Sequence, residues 1–220
     1  MIIQNSQQDI VFDVAKHITQ VGLKISGGAD SAIVGYMLSL YVTQERPDIT
    51  IVPITIDQEG KAFQTQFAKR IIEFYKEIFG NIYADHETDL CLLPEDERYS
   101  FTQESLVNKL MANGTIQFHY AGITANPPVE AIPQSIYDGG WTAPTERIRT
   151  GVLRENCNSN RCLPLVNIDK QGVAELYRKF GLMDTLFPLT RSCENFTDDF
   201  TYHCDDCWFC AERKWGFGRI

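Results

Sequence analysis

The 220-residue sequence is short of positive charge: 20 Lys and Arg face 29 Asp and Glu, for a formal net charge of −9 and a pI near 4.9. An acidic chain repels phosphate backbones, so direct nucleic-acid binding is not the expectation. Long apolar runs are missing too, which argues against a bilayer span. The first twenty residues carry Asp9, Asp13 and Lys16 and form neither the basic leader nor the unbroken apolar stretch of an export signal. A cytoplasmic location away from membranes is therefore expected. Internal repeats and low-complexity tracts are absent. So are the G-x-G-x-x-G dinucleotide fingerprint and the Lys-Ser/Thr pair of a Walker loop.

What is present is an ordinary globular composition, 44% hydrophobic and 11% aromatic, in a length that suits one domain with a small appendage. Seven cysteines stand out: Cys91, Cys157, Cys162, Cys193, Cys204, Cys207 and Cys210. In a reducing compartment, clustered cysteines more often hold metal than form disulfides.

Hydrophobic spacing predicts a short amphipathic helix over 6–19, a strand over 21–25 and a helix over 31–42. A β-branched run predicts a strand over 49–56. A helix follows over 61–79, with Phe63, Phe67, Ile71, Phe74 and Ile78 on one stripe. Further strands are expected over 81–84, 116–124 and 165–168, and helices over 103–112 and from the cap Asp169 to Phe180. Strand–helix alternation implies an α/β fold, a parallel sheet with helices on both faces. Residues 126–162 read as one long irregular loop with Pro127, Pro128, Pro133 and Pro144.

Two clusters carry chemistry. Ser26-Gly27-Gly28-Ala29-Asp30-Ser31 lies between a buried strand and a helix, where free amides and glycines without a Cβ form an anion cradle. Ser26, Gly27, Gly28 and Ser31 would bind phosphate there, with Asp30 reaching it through Mg²⁺. Asp57 ends the next strand, at the sheet's ligand-binding edge; it either frames a nucleotide or caps the following helix. Lys24 either reaches a phosphate or lies on the surface. Thr124 and Asn126, past a later strand, are candidate substrate contacts, with loop capping as the plain alternative.

The second cluster is Cys193-x10-Cys204-x2-Cys207-x2-Cys210, four soft ligands spaced to enclose one Zn²⁺, with an iron–sulfur cluster as the rival and His203 as an alternative ligand. Asp205, Asp206 and Glu212 crowd this segment, which appeals to metal binding rather than to apolar burial of the thiols. Cys91 reads as a packing residue, and Cys157 and Cys162 lack the further ligands a second site needs.

SGGADS resembles the SGGxDS loop of the PP-loop ATP pyrophosphatase superfamily, whose members use ATP to activate a carboxylate, amide or carbonyl oxygen. With the C-terminal elements Leu163-Pro164-Leu165, Asp169-Lys170, Thr190-Arg191-Ser192-Cys193 and His203-Cys204-x2-Cys207-x2-Cys210, the chain resembles the 7-cyano-7-deazaguanine synthase family over about 20–80 and 163–217. The resemblance implies a Rossmann-like, adenine-nucleotide alpha-hydrolase-like domain over 1–185, with a divergent insertion at about 90–162, and a zinc knot over 186–220. It implies ATP, Mg²⁺ and Zn²⁺, Asp30 and Lys170 as catalytic residues, and conversion of 7-carboxy-7-deazaguanine and ammonia to the nitrile of queuosine biosynthesis. Self-association as a homodimer is left open. The sequence departs from the family at Asp57-Gln58-Glu59-Gly60-Lys61 and at Asp205, and its middle region shows no likeness. Two other readings follow: a PP-loop ligase or sulfur transferase with another carboxylate or carbonyl substrate, and a nucleotide-binding module that has lost catalysis.

Overall fold

A computed structural model describes residues 1–59, 63–92, 96–148, 152–195, 197 and 200–220, with the side chains of 96–100 left aside. Five parallel strands form the central sheet: β3 (Gln20–Lys24), β4 (Thr50–Gln58), β5 (Glu87–Cys91), β6 (Phe118–Ala121) and β7 (Arg161–Cys162), in the order β5-β4-β3-β6-β7. A separate antiparallel pair, β1 (Ile2–Ile3) and β2 (Ile10–Val11), precedes it. The helices are α1 (Ala29–Glu45), α2 (Gln64–Phe79), α3 (Asp96–Ala112), α4 (Gln134–Asp138), α5 (Lys170–Lys179) and α6 (Trp208–Phe217).

Strand alternation sorts the core. Val21, Leu23 and Ile51 point to one face and pack with α1, α2 and α5, whereas Val52, Ile54 and Ile56 point to the other and meet Leu106, Val107 and Leu110 of α3. Helix α1 buries residues all round, from Ala29 to Val42, because α2 and α5 close over the side turned away from the sheet. The expected α/β sheet with helices on both faces is the architecture found.

Several local expectations are corrected. The predicted helix over 6–19 is absent; Ile10, Phe12 and Val14 are buried and Val11 and Asp13 exposed, a period of two that serves β2 and its extension. The strand expected at 81–84 contributes a single bridge, Tyr83 to Ile51, and the paired strand is Glu87–Cys91. The apolar run 165–168 is a buried turn, closed by Val166 N–H to Leu163 O and Ile168 N–H to Leu165 O, and the edge strand is Arg161–Cys162 instead. The α2 stripe ends early, since Ile78 is exposed; Lys61, where that helix was expected to begin, lies outside the described residues. The loop read over 126–162 contains α4 and two 3₁₀ turns, Val129–Ala131 and Thr145–Arg147. Cys157 and Cys162, given no role by their spacing, are disulfide-bonded, contrary to the expectation of reduced thiols. Among the described residues no helix is long and apolar enough to cross a membrane.

Candidate active site and metal centre

The strand–glycine–helix unit places the candidate anion cradle at the carboxyl end of β3. Gly27 has φ +80°, and a Cβ there would lie 2.5 Å from the Cβ of Phe67 on α2, so the turn admits glycine alone. Gly28 caps α1 without a side-chain acceptor, and the amides of Ala29, Asp30 and Ser31 find no acceptor among the described residues. These are the free donors that attract an anion to a helix N-terminus. Ser31 donates to the Gly28 carbonyl at 3.1 Å and accepts from the Ser26 amide at 3.2 Å, fixing the loop from within. On the far side Gly122, just past β6, approaches so closely that a Cβ would sit 2.5 Å from the Ser31 nitrogen.

Asp30 and Lys170 meet directly. Lys170 opens α5 behind the cap Asp169, which accepts from the amides of Gln171 and Gly172 as expected. Its ammonium donates to both Asp30 oxygens at 2.7 and 2.6 Å and lies 3.5 Å from Glu212 of α6. Glu212 also pairs with Arg147, and Arg147 donates to the Thr124 hydroxyl at 2.7 Å, while Thr124 donates to Asp30 at 3.3 Å. The ring holds two carboxylates and two cations, with Lys170 3% and Glu212 1% exposed. Burial works against the Arg147 charge, but Glu212 and Asp30 hold its pKa above the ordinary arginine value. Thr124 is thereby part of this ring. Asn126, the other candidate contact, donates to the Pro144 carbonyl at 2.8 Å. Asp57 accepts from the Thr65 amide at 3.0 Å and caps the start of α2.

Sequence reasoning missed Arg147, which stands in the irregular region with no motif around it, and gave Glu212 no role. Neither residue carries a local signal in the sequence; only the α5–α6 contact brings Glu212 to Lys170.

A cavity of about 150 Å³ opens beside the loop, lined by Ser26, Ser31, Lys24, Thr55, His119 and Arg161 among others. Burial lowers Lys24 to about 8, with Glu104 opposing and Arg161 assisting. Burial, with Lys24 and Arg161 nearby, lowers His119 to about 4, so its imidazole is neutral at pH 7. Lys24 thus faces this cavity rather than open surface.

Cys193, Cys204, Cys207 and Cys210 converge, with their sulfurs all within 4.8 Å of one another and Cys204 Sγ 3.9 Å from Cys210 Sγ. The cluster can hold a metal ion. Neighbouring thiols hydrogen-bond to Cys193 and push its pKa far down, whereas Cys193 and its neighbours push Cys207 up to about 11 and Cys210 higher still. Four thiolates this close require a cation to exist together. The acidic neighbours do not expose the thiols, contrary to the expectation from composition: Cys193, Cys207 and Cys210 are fully buried, with Trp141, Phe209 and Ile220 packed against them. Asp205 takes φ +57°, the left-handed conformation that an aspartate tolerates in a metal turn. His203 accepts from the Ser192 amide through Nε2 at 3.3 Å, so it stands outside the ligand set and its proton sits on Nδ1.

No protein-family model matches the chain, and a comparison with curated proteins returns no match. Among solved structures the chain is similar to the U34-tRNA thiolase NcsA from Methanococcus maripaludis with its [4Fe-4S] cluster, at a TM-score of 0.51 and 17% identity. The match covers 87% of this chain and 65% of that one, less than two thirds of the neighbour's length. At this identity the likeness carries the fold alone, a Rossmann-like α/β arrangement.

Proposed function

We propose that the chain is an ATP-using enzyme that activates a carboxylate for attack by ammonia, the 7-carboxy-7-deazaguanine to nitrile conversion its motifs resemble. The observation that carries the reading is the uncapped N-terminus of α1, whose free amides stand beside the Asp30–Lys170 pair. Ser26, Gly27, Gly28 and Ser31 hold the nucleotide phosphates, and Asp30 is the residue for the Mg²⁺ that accompanies them, which neutralises phosphate charge. An anion at the loop competes with Asp30 for the Lys170 ammonium, which then stabilises the departing phosphate. Activation of the carboxylate oxygen makes it a leaving group, and ammonia displaces it to give the amide. A second activation, of the amide oxygen by a further ATP, lets that oxygen depart on the transferred phosphate group while the nitrogen releases its two protons, which leaves the nitrile. Lys24 and Arg161 in the adjoining cavity suit a substrate that arrives as a carboxylate.

For the metal, a single Zn²⁺ fits the thiols. With Zn–S of about 2.3 Å, tetrahedral ligands lie about 3.8 Å apart, close to the 3.9 Å between Cys204 and Cys210. A cube of four irons and four sulfides holds its ligands on a wider tetrahedron. A closed four-thiolate ion supports folding of the tail against α5 and takes no part in the reaction.

Sulfur transfer to an activated carbonyl is the second reading, favoured by the fold likeness to a tRNA thiolase. Incubation with ATP, Mg²⁺, ammonium and 7-carboxy-7-deazaguanine, followed by mass detection of amide and nitrile, tests the first. ATP consumption with neither product, together with thiolated product in a parallel sulfide reaction, would replace it with the second.

A further inference from the structure

A second cavity, of about 440 Å³, shares no lining residue with the one beside the phosphate loop. Its walls come from α2, the 187–191 and 200–203 segments, and the end of the chain, and they include Arg70, Arg191, Arg213 and Arg219 but no Asp or Glu. Arg213 and Arg191 are 1% and 2% exposed, and among the described residues neither has a carboxylate within ion-pair distance. Arg191 donates to the carbonyls of Phe200, Tyr202 and Asn195 and to the Thr197 hydroxyl. Arg213 donates to the hydroxyls of Thr190 and Ser192 and to the Phe187 carbonyl. Each guanidinium leaves its Nε–H without a partner.

Buried charges in proteins are ordinarily paired, because an ion removed from water loses its hydration without compensation unless an opposite charge meets it. Stacking of Arg213 on Phe187 and of Arg191 on Phe63 and Phe200 offsets part of that cost but supplies no negative charge. At the rim the guanidiniums of Arg70 and Arg219 are exposed; Asp184 pairs with Arg219 from outside the lining. Two buried and two rim guanidiniums, with orphaned donors and apolar walls of Phe67, Phe187 and Phe200, form a container for negative charge.

We propose that this cavity, which meets the back of the phosphate loop through Phe67 and Arg191 but is distinct from the cavity at its front, is a second anion site that takes a small phosphate-bearing ligand. The test uses the metal-loaded chain, titrated calorimetrically with inorganic pyrophosphate at constant chloride, with and without a saturating non-hydrolysable ATP analogue. Pyrophosphate should bind in the presence of the analogue. The double variant Arg70→Gln/Arg219→Gln, confined to the exposed rim, should weaken that binding at least tenfold while metal content and circular dichroism stay unchanged. Loss of binding when the analogue is present, or equal affinity in the rim variant, would overturn the proposal. So would an Arg191→Gln variant that loses metal yet binds pyrophosphate as before, since the buried guanidinium would then serve as counter-charge to the thiolates.

Discussion

Glu212→Gln probes the ring that joins α1, α5 and α6. Glu212 faces both Arg147 and Lys170, and its neutralisation leaves Asp30 as the single carboxylate against two buried cations. At the Lys170–Glu212 separation of 3.5 Å, an effective dielectric of about 20 gives roughly 5 kcal/mol for that one attraction. Removal of one partner from a buried pair ordinarily costs about 3–5 kcal/mol. Glutamine retains the shape and one acceptor, so about 3 kcal/mol is the expected loss, read as a fall of roughly 6–12 °C in Tm for a domain of this size. Urea denaturation of the metal-loaded protein measures it. The double variant Glu212→Gln/Arg147→Met restores charge balance, one cation against Asp30, and should lose less than the sum of the single changes by at least about 1 kcal/mol. A Glu212→Gln change below about 1 kcal/mol, or strict additivity in the cycle, would refute the claim that this ring is held by charge balance.

Gly27→Ala combines a positive φ with a 2.5 Å clash against Phe67, so stability should fall by about 1–3 kcal/mol or more and ATP affinity by at least tenfold; unchanged melting and binding would remove the loop from the site. Asp30→Ala should abolish ATP turnover with the fold retained, and normal turnover measured by phosphate release would contradict its assignment. Lys24, lowered to about 8 by burial, binds fewer protons folded than unfolded between about pH 8 and 10.5, so its contribution to stability rises with pH across that window. Lys24→Met should therefore be more stable than the parent below pH 8, by up to about 3 kcal/mol, with the advantage shrinking toward pH 10.5; a pH-independent difference in denaturation midpoints would count against the shift. Cys207→Ser should lower bound metal and Tm together, while elemental analysis of the parent should give one zinc per chain; four irons per chain would displace the single-ion reading.

The parts of the site written in consecutive residues were legible in the sequence. Ser26 to Ser31 needs only a strand before it and a helix after it, and both periodicities are strong. Asp169 announces a helix start by its chemistry, which put Lys170 at the right place before any contact was known. Cys204, Cys207 and Cys210 reveal their metal site through spacing. Arg147 could not be found this way, because its position depends on three short turns in a proline-rich stretch with no period. Burial misled the reading at two places in the chain. Ile10 and Val14 look helical when His17 and Ile18 are counted with them, and Leu165 to Ile168 looks like a strand because a buried turn and a buried strand have the same apolar composition.

The two edges of the sheet bear on how copies of this chain can meet. β7 is two residues long, and the chain before it doubles back through the Cys157–Cys162 bond. β5, at the other edge, carries Glu87 and Asp89 beside exposed Thr88 and Leu90. Short and negatively charged borders discourage a neighbour's strand from adding on, because the first offers too few amides and the second meets like charge in a second copy. A ten-stranded sheet running through two subunits is thereby disfavoured, so the borders of the central sheet are not where a second copy of this chain is expected to dock.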